Sequence, residues 1–130
     1  MVAKFITVEG TEGVGKTTNI NFIKSWLKQH EIRFVATREP GGTPLAEEIR
    51  NLLLKPRSEL VVSSAELLLM FAGRAQHLEK VILPALQTDH WVLCDRFTDA
   101  TYAYQGFGRQ MDTELIAQLE NIVQGEIRPD

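Results

Sequence analysis

Near the start of the chain, Gly10-Thr11-Glu12-Gly13-Val14-Gly15-Lys16-Thr17 fits the pattern G-x-x-x-x-G-K-[ST]. Glycines let backbone N–H groups turn inward around phosphate oxygens, and a helix that follows presents its positive end to them. Lys16 is suited to neutralise charge between β- and γ-phosphates, and Thr17 to place its hydroxyl on Mg²⁺. Thr18 is expected to cap the helix or pack near the α-phosphate. The motif points to a bound nucleoside triphosphate and leaves the acceptor open.

Further residues able to choose an acceptor fall in three clusters. The first is Thr37-Arg38-Glu39-Pro40-Gly41-Gly42-Thr43, with Arg50 beyond it. The second is Phe71-Ala72-Gly73-Arg74, and the third is Asp95-Arg96-Phe97 with Thr101, Tyr104 and Gln105. An open parallel sheet binds ligands outside the carboxyl ends of its strands, so these clusters are expected to converge on one crevice. His30, His77 and His90 have no metal-ligand spacing and are read as solvated or structural.

The elements that must carry these residues are legible in the hydrophobic pattern. Lys4 to Glu9, Arg33 to Thr37 and Trp91 to Cys94 are short, β-branched or aromatic runs that read as buried strands. Thr17 to Gln29 sets Ile20, Ile23, Trp26 and Leu27 at helical spacing. Pro44 to Leu54 puts Leu45, Ile49, Leu52 and Leu53 on one helix face, with Pro44 in a first position. Ser63-Ser64-Ala65-Glu66 matches a capping box, so a long helix is expected from there towards Leu83, ended or kinked by Pro84. A last helix follows the N-cap Asp112, with Met111 and Ile116 as a staple and Leu115, Leu119, Ile122 and Val123 as its buried stripe up to Gly125. Strand alternating with helix predicts an α/β fold, a parallel sheet with helices on both faces.

Length and charge bound the rest. A chain of 130 residues allows one domain or part of a larger one. Apolar residues at 44% and charged residues at 24% predict a packed core. A net charge of -3 argues against coating nucleic acid or anionic lipid, so phosphate binding is local. Cys94 is the single cysteine, which excludes an internal disulfide and makes a reducing, cytoplasmic location the default. No apolar block is long enough to span a bilayer and no export signal is expected.

The sequence resembles the bacterial thymidylate kinases, P-loop nucleoside monophosphate kinases that make dTDP from dTMP and ATP. The likeness rests on EGTEGVGKTT, TREPGGTPLAEEIR, ELLLMFAGRAQH and DRFTDATYAYQG, in that order across the chain. It implies the P-loop NTPase three-layer sandwich, ATP with Mg²⁺ as donor, and a homodimer paired through long helices. Arg96 would hold the acceptor phosphate near the γ-phosphate, a role that repulsion between two phosphates also demands. Asp95 would hold Mg²⁺ or its water beside Thr17, and Arg50 would reach the dTMP phosphate. Glu12 resembles an acidic residue that contacts the sugar hydroxyl or organises metal, with Glu39 and Glu9 as weaker candidates. Arg74 matches the arginine that reads a thymine carbonyl, and Thr101, Tyr104 and Gln105 match positions facing base and sugar. Pro40 and Leu53 complete the expected dTMP site.

Many relatives carry phenylalanine four residues before the helix arginine, where this chain has Met70, with Phe71 next to it. Phe71 is expected over the base because a flat ring stacks better than a thioether, and Met70 beside it. The rival readings are a kinase for another nucleoside monophosphate and, from a different class, an ATP-driven switch. The resemblance also places a further strand and a lid carrying arginines beyond Asp130, so residues 1–130 alone are expected to transfer phosphate slowly.

Overall fold

The computed structural model describes residues 2–10 and 15–130, with the side chains of Tyr104 and Phe107 outside the description. Thr11, Glu12, Gly13 and Val14 therefore lie outside the described residues. Strands β1 (Phe5–Val8), β2 (Phe34–Arg38) and β3 (Trp91–Asp95) form a parallel sheet in the order β1-β3-β2. The register sets Val8 and Arg38 on either side of Asp95, so the three carboxyl ends are level. Val92, Leu93 and Cys94 are all buried. Successive strand residues face opposite ways, so both faces of β3 are covered, as the α/β pattern requires.

Helices α1 (Lys16–Gln29), α2 (Pro44–Leu54) and α3 (Ser63–His77) precede β3. Helix α2 begins as its sequence dictates: Thr43 Oγ1 accepts from Ala46 N–H at 3.0 Å, and Pro44 takes a position whose missing N–H costs nothing. Pro84 does not end the helical path. A π-helical stretch, Leu78–Ile82, follows α3 and resets the ladder so that Pro84 enters the first turn of α4 (Leu83–Gln87). The capping box is absent as well. Val62 is the N-cap of α3 and makes no side-chain cap bond, while the Glu66 carboxylate turns to Gln105 and Arg109. A charge-assisted contact with Arg109 outweighs one backbone N–H that water can satisfy.

After β3 comes a short helix α5 (Thr98–Thr101), a π-helical stretch Tyr102–Gly108, and α6 (Thr113–Gln124). The sequence reading has no element between Asp95 and Asp112; the short helical turns there carry few of the apolar repeats that reveal a longer helix. Asp112 caps α6 by accepting from Glu114 N–H at 2.9 Å. The buried face of α6 is Ile116 with Leu119 and Val123, which pack with Met111 on Leu67 and Phe71; Leu115 and Ile122 are exposed. Trp26, Leu45 and Leu52 are likewise exposed, and Trp26 stacks on His30 with ring centroids 4.0 Å apart. A wide apolar stripe marks the inner face only to within one residue either side. The main core joins Phe5, Leu78, Ile82, Ala85, Val92, Cys94 and Phe97. Among the described residues no helix is long and apolar enough to cross a membrane.

The loop between β2 and α2 is held tightly. Gly42 has φ +100°, and a Cβ there would overlap the ring of buried His77 and approach Thr37 Oγ1. Gly42→Ala should therefore cost about 2 kcal/mol or more through backbone strain and overpacking together. Denaturant unfolding measures this, and an unchanged midpoint would show that the loop admits a methyl group freely.

Candidate active site

The level strand ends deliver side chains from three loops to one side of the sheet. At the end of β1, Glu9 Oε1 accepts from Phe97 N–H at 2.9 Å, which ties the first loop to the segment after β3. Burial, opposed by that N–H and reinforced by nearby Asp99, raises the Glu9 pKa above the ordinary carboxylate value. Gly15, in left-handed conformation at φ 85°, leads into α1. Lys16 opens that helix, is buried, and meets Asp95 Oδ1 at 2.8 Å. The pair locks the first turn of α1 to the end of β3. Asp95 keeps about a third of its side chain exposed (34%), so one of its edges stays open to solvent. Arg96 follows at φ 69°, a left-handed conformation that a non-glycine residue adopts only when its surroundings hold it there.

At the end of β2 a buried network begins. Glu39 N–H donates to Asp95 O at 2.9 Å, which fixes the carboxylate's position against β3. Arg74 Nε donates to Glu39 Oε1 at 2.6 Å, and Arg74 Nη2 donates to Thr101 Oγ1 at 2.9 Å. The guanidinium carbon lies 5.0 Å from the Phe71 ring centre and 5.1 Å from that of Phe97. The other carboxylate oxygen of Glu39 accepts from His77 Nδ1 at 2.7 Å, and His77 Nε2 meets the Thr37 hydroxyl at 2.7 Å. Each charge is thus compensated, which a buried ion requires. Arg74 Nη1 is the exception: it is buried and has no partner among the described residues.

A cavity of about 290 Å³ opens here. Its wall includes Arg96, Arg74, Glu39, Pro40, Leu53 and Met70. Leu54, Glu66, Phe97, Ala100 and Gln105 complete it. Seven of the residues expected at a dTMP site therefore share one cavity: Glu39, Pro40, Leu53, Met70, Arg74, Arg96 and Gln105. Phe71 does not join them. It is 2% exposed and packs with Leu67 and Ile116, so the residue expected over the base lies in the core, and it is Met70 that lines the cavity. Helical spacing brings both Met70 and Phe71 to Arg74, and the packing of Leu67 and Ile116 on Phe71 is what draws it into the core. Thr101 is fully buried behind Arg74 and not in the wall, and Arg50 donates to Pro40 O at 3.3 Å outside it. Tyr104 and Glu12 fall outside the description.

Sequence reasoning named Phe97 with the third cluster but missed Glu66 in the cavity wall. Glu66 was available as the member of a Glu66, Met70, Arg74 series at four-residue spacing, a stripe lost to the capping-box reading. His77, expected to be solvated or structural, is fully buried and holds Glu39. Among the described residues no group of three or more His, Cys, Asp or Glu could hold a metal alone. The Asp95 carboxylate and the Thr17 hydroxyl are nonetheless hard oxygen donors of the type Mg²⁺ takes, and Mg²⁺ bound with phosphates keeps water for its remaining positions.

Comparison with known proteins gives a consistent result. The family description "Thymidylate kinase" matches residues 8–130. The chain is 61% identical over 130 residues to a thymidylate kinase of Teredinibacter turnerae, covering all of this chain and 63% of that protein. It is 60% identical over 130 residues to one from Ectopseudomonas mendocina, covering 62% of it. The chain thus spans less than two thirds of the length of these relatives. The crystal structure of thymidylate kinase from Ehrlichia chaffeensis superposes with TM-score 0.90 at 43% identity, covering all of this chain and 74% of that one.

The Glu9 environment yields a stability test. A carboxyl whose pKa is raised on folding stabilises the fold below its unfolded pKa, and that contribution is lost as pH rises through the folded value. Glu9→Gln keeps an oxygen for Phe97 N–H and removes the desolvated charge. Thermal melting should show the variant more stable than the parent at pH 7, with the gain shrinking towards pH 4. An equal gain at both pH values would show that desolvation of the carboxylate is not its source.

Proposed function

We propose, from the premise that this chain belongs to the thymidylate kinase family, that it serves transfer of the γ-phosphoryl group of ATP to dTMP, giving dTDP and ADP. The observation that carries the reading is a single cavity lined by two arginines, Arg96 and Arg74, together with the apolar Met70 and Leu53. A nucleoside monophosphate has matching chemistry, an anionic phosphate and a flat base with carbonyl oxygens. Arg96 takes the acceptor phosphate, with Arg50 approaching from α2. Arg74 Nη1, buried and without a partner among the described residues, donates to the base carbonyl. Met70 lies against the base and Thr101 holds the Arg74 guanidinium through its hydroxyl, while Tyr104 would contact base and sugar as the resemblance implies.

On the donor side, the P-loop from Gly10 to Thr18 wraps the ATP phosphates, and Lys16 places its ammonium on them. Glu12, in that loop, would contact the sugar of the acceptor, as the resemblance implies. Thr17 and Asp95 would hold Mg²⁺, which when bound neutralises charge on the transferring phosphoryl group. Asp95 also holds Lys16 at the strand end, so the lysine enters the site already oriented. These are positioning and charge-neutralising roles, which is what transfer through a loose transition state asks of a protein. A P-loop switch protein would have no use for the two arginines in the cavity. The reading carries with it a soluble cytoplasmic protein that pairs as a homodimer through its helices, where Leu68 of α3 and Ile122 of α6 are exposed apolar residues.

Side-by-side initial rates with dTMP, dUMP and dCMP test the assignment. dTMP should be used best, dUMP less well by the worth of a methyl group, roughly 1 to 3 kcal/mol, and dCMP least, because Arg74 would face an amino group where thymine has O4. Equal efficiency on dCMP and dTMP would remove thymine as the base. Sedimentation over a range of concentrations should give the mass of a dimer, and a monomer mass throughout would remove the pairing.

A further inference from the structure

Gln105 is buried in the cavity wall and its amide is held from one side only. Its Nε2 donates to Glu66 Oε1 at 2.6 Å. Its Oε1 is buried and has no partner among the described residues. The second oxygen of Glu66 meets Arg109 Nη1 at 3.0 Å, and Arg109 Nη2 donates to Val61 O at 3.3 Å. A carboxylate paired with a guanidinium only accepts hydrogen bonds, so the Gln105 amide must present its NH₂ to Glu66. Its carbonyl oxygen is then left as the group available to a ligand.

We propose that Glu66, clamped by Arg109, is a positioning residue that sets base specificity by fixing which way the Gln105 amide faces. The inference rests on the reading of this cavity as a thymine site. With the amide fixed, the cavity offers a donor at Arg74 Nη1 and an acceptor at Gln105 Oε1. Thymine and uracil present the complementary pair, a carbonyl oxygen beside an imide N–H. Cytosine presents an amino group beside a bare ring nitrogen, so both contacts oppose like to like. Glu66, Met70 and Arg74 are all cavity residues at four-residue spacing on α3, so one helix face supplies the donor, an apolar contact and the anchor for the acceptor.

The test is equilibrium binding of dTMP and dCMP to the parent protein, Glu66→Gln and Arg109→Gln, with thermal melting on each. The parent should bind dTMP at least a hundredfold more tightly than dCMP. In Glu66→Gln the amide opposite Gln105 can accept or donate, so Gln105 is free to rotate. The preference should fall at least tenfold, with dTMP binding weakened and dCMP binding strengthened. That gain for dCMP is the signature that general damage to the site would not produce. Arg109→Gln, altered at the partly exposed end of the clamp, should shift the preference the same way by a smaller factor. A preference unchanged in a folded Glu66→Gln, or equal weakening of both nucleotides, would overturn the proposal while leaving the thymine reading intact. If Glu66→Gln fails to fold, an unchanged preference in Arg109→Gln overturns it. A parent that binds both nucleotides equally would overturn the thymine reading itself and this proposal with it.

Discussion

Burying the Arg74 guanidinium is the step on which the rest of the site depends. A fully buried cation is tolerated only when an anion and further acceptors meet it, and Glu39 and Thr101 supply these at 2.6 and 2.9 Å. Glu39 is then itself a buried anion and needs more than one donor; His77 gives the second at 2.7 Å, and Thr37 fixes the other edge of that ring. The close approach of His77 to the loop leaves no room for a side chain at Gly42. One buried charge thus constrains the end of β2, the turn after it, the middle of α3 and the helix after β3. Removing either Arg74 or Glu39 would strand the other, so the pair is held together by the cost of separating it more than by its net attraction.

A second constraint is the register of the sheet. Because Val8, Asp95 and Arg38 lie level across parallel strands, each following residue enters its loop at the same height. Glu9, Arg96 and Glu39 are those residues. Glu9 and Glu39 both hydrogen-bond across to the β3 segment, one to Phe97 N–H and the other through its own N–H to Asp95 O. The loops are therefore stitched at their roots, and the left-handed backbone at Arg96 is over-determined on both sides.

How much of this a sequence discloses depends on whether the cause is local. The strands, α2 with its Thr43 cap and Pro44, and the Asp112 cap of α6 are set by neighbouring residues and were readable within a residue or two. The inner faces of α1 and α6 were read too wide, because Trp26 and Ile122 obey the same spacing as buried residues and only packing excludes them. Glu66 fits a capping box as well as any, yet its carboxylate is taken by Arg109, far along the chain. Phe71 and Met70 differ by one position on the helix. Which of them faces core or cavity is decided by Ile116 of α6, which local pattern does not contain.

The two acidic residues around α3 show the same physical device used for opposite ends. Glu39 takes the Nε–H of Arg74 and Thr101 takes an N–H of Nη2, so Nη1 is the guanidinium nitrogen left without a partner among the described residues. Glu66 takes the NH₂ of Gln105, so the amide has only its oxygen left over. Neither carboxylate needs to touch a ligand to do this. An anion that only accepts orients the Arg74 guanidinium, which donates in any case, and gives the ambiguous Gln105 amide a fixed polarity. Because the anion is held by a cation or by an imidazole, the assignment does not relax when a ligand arrives. On the proposed reading a base edge meets a donor and an acceptor of fixed identity, and the carboxylates of Glu39 and Glu66 in the cavity wall hold the two side chains that supply them.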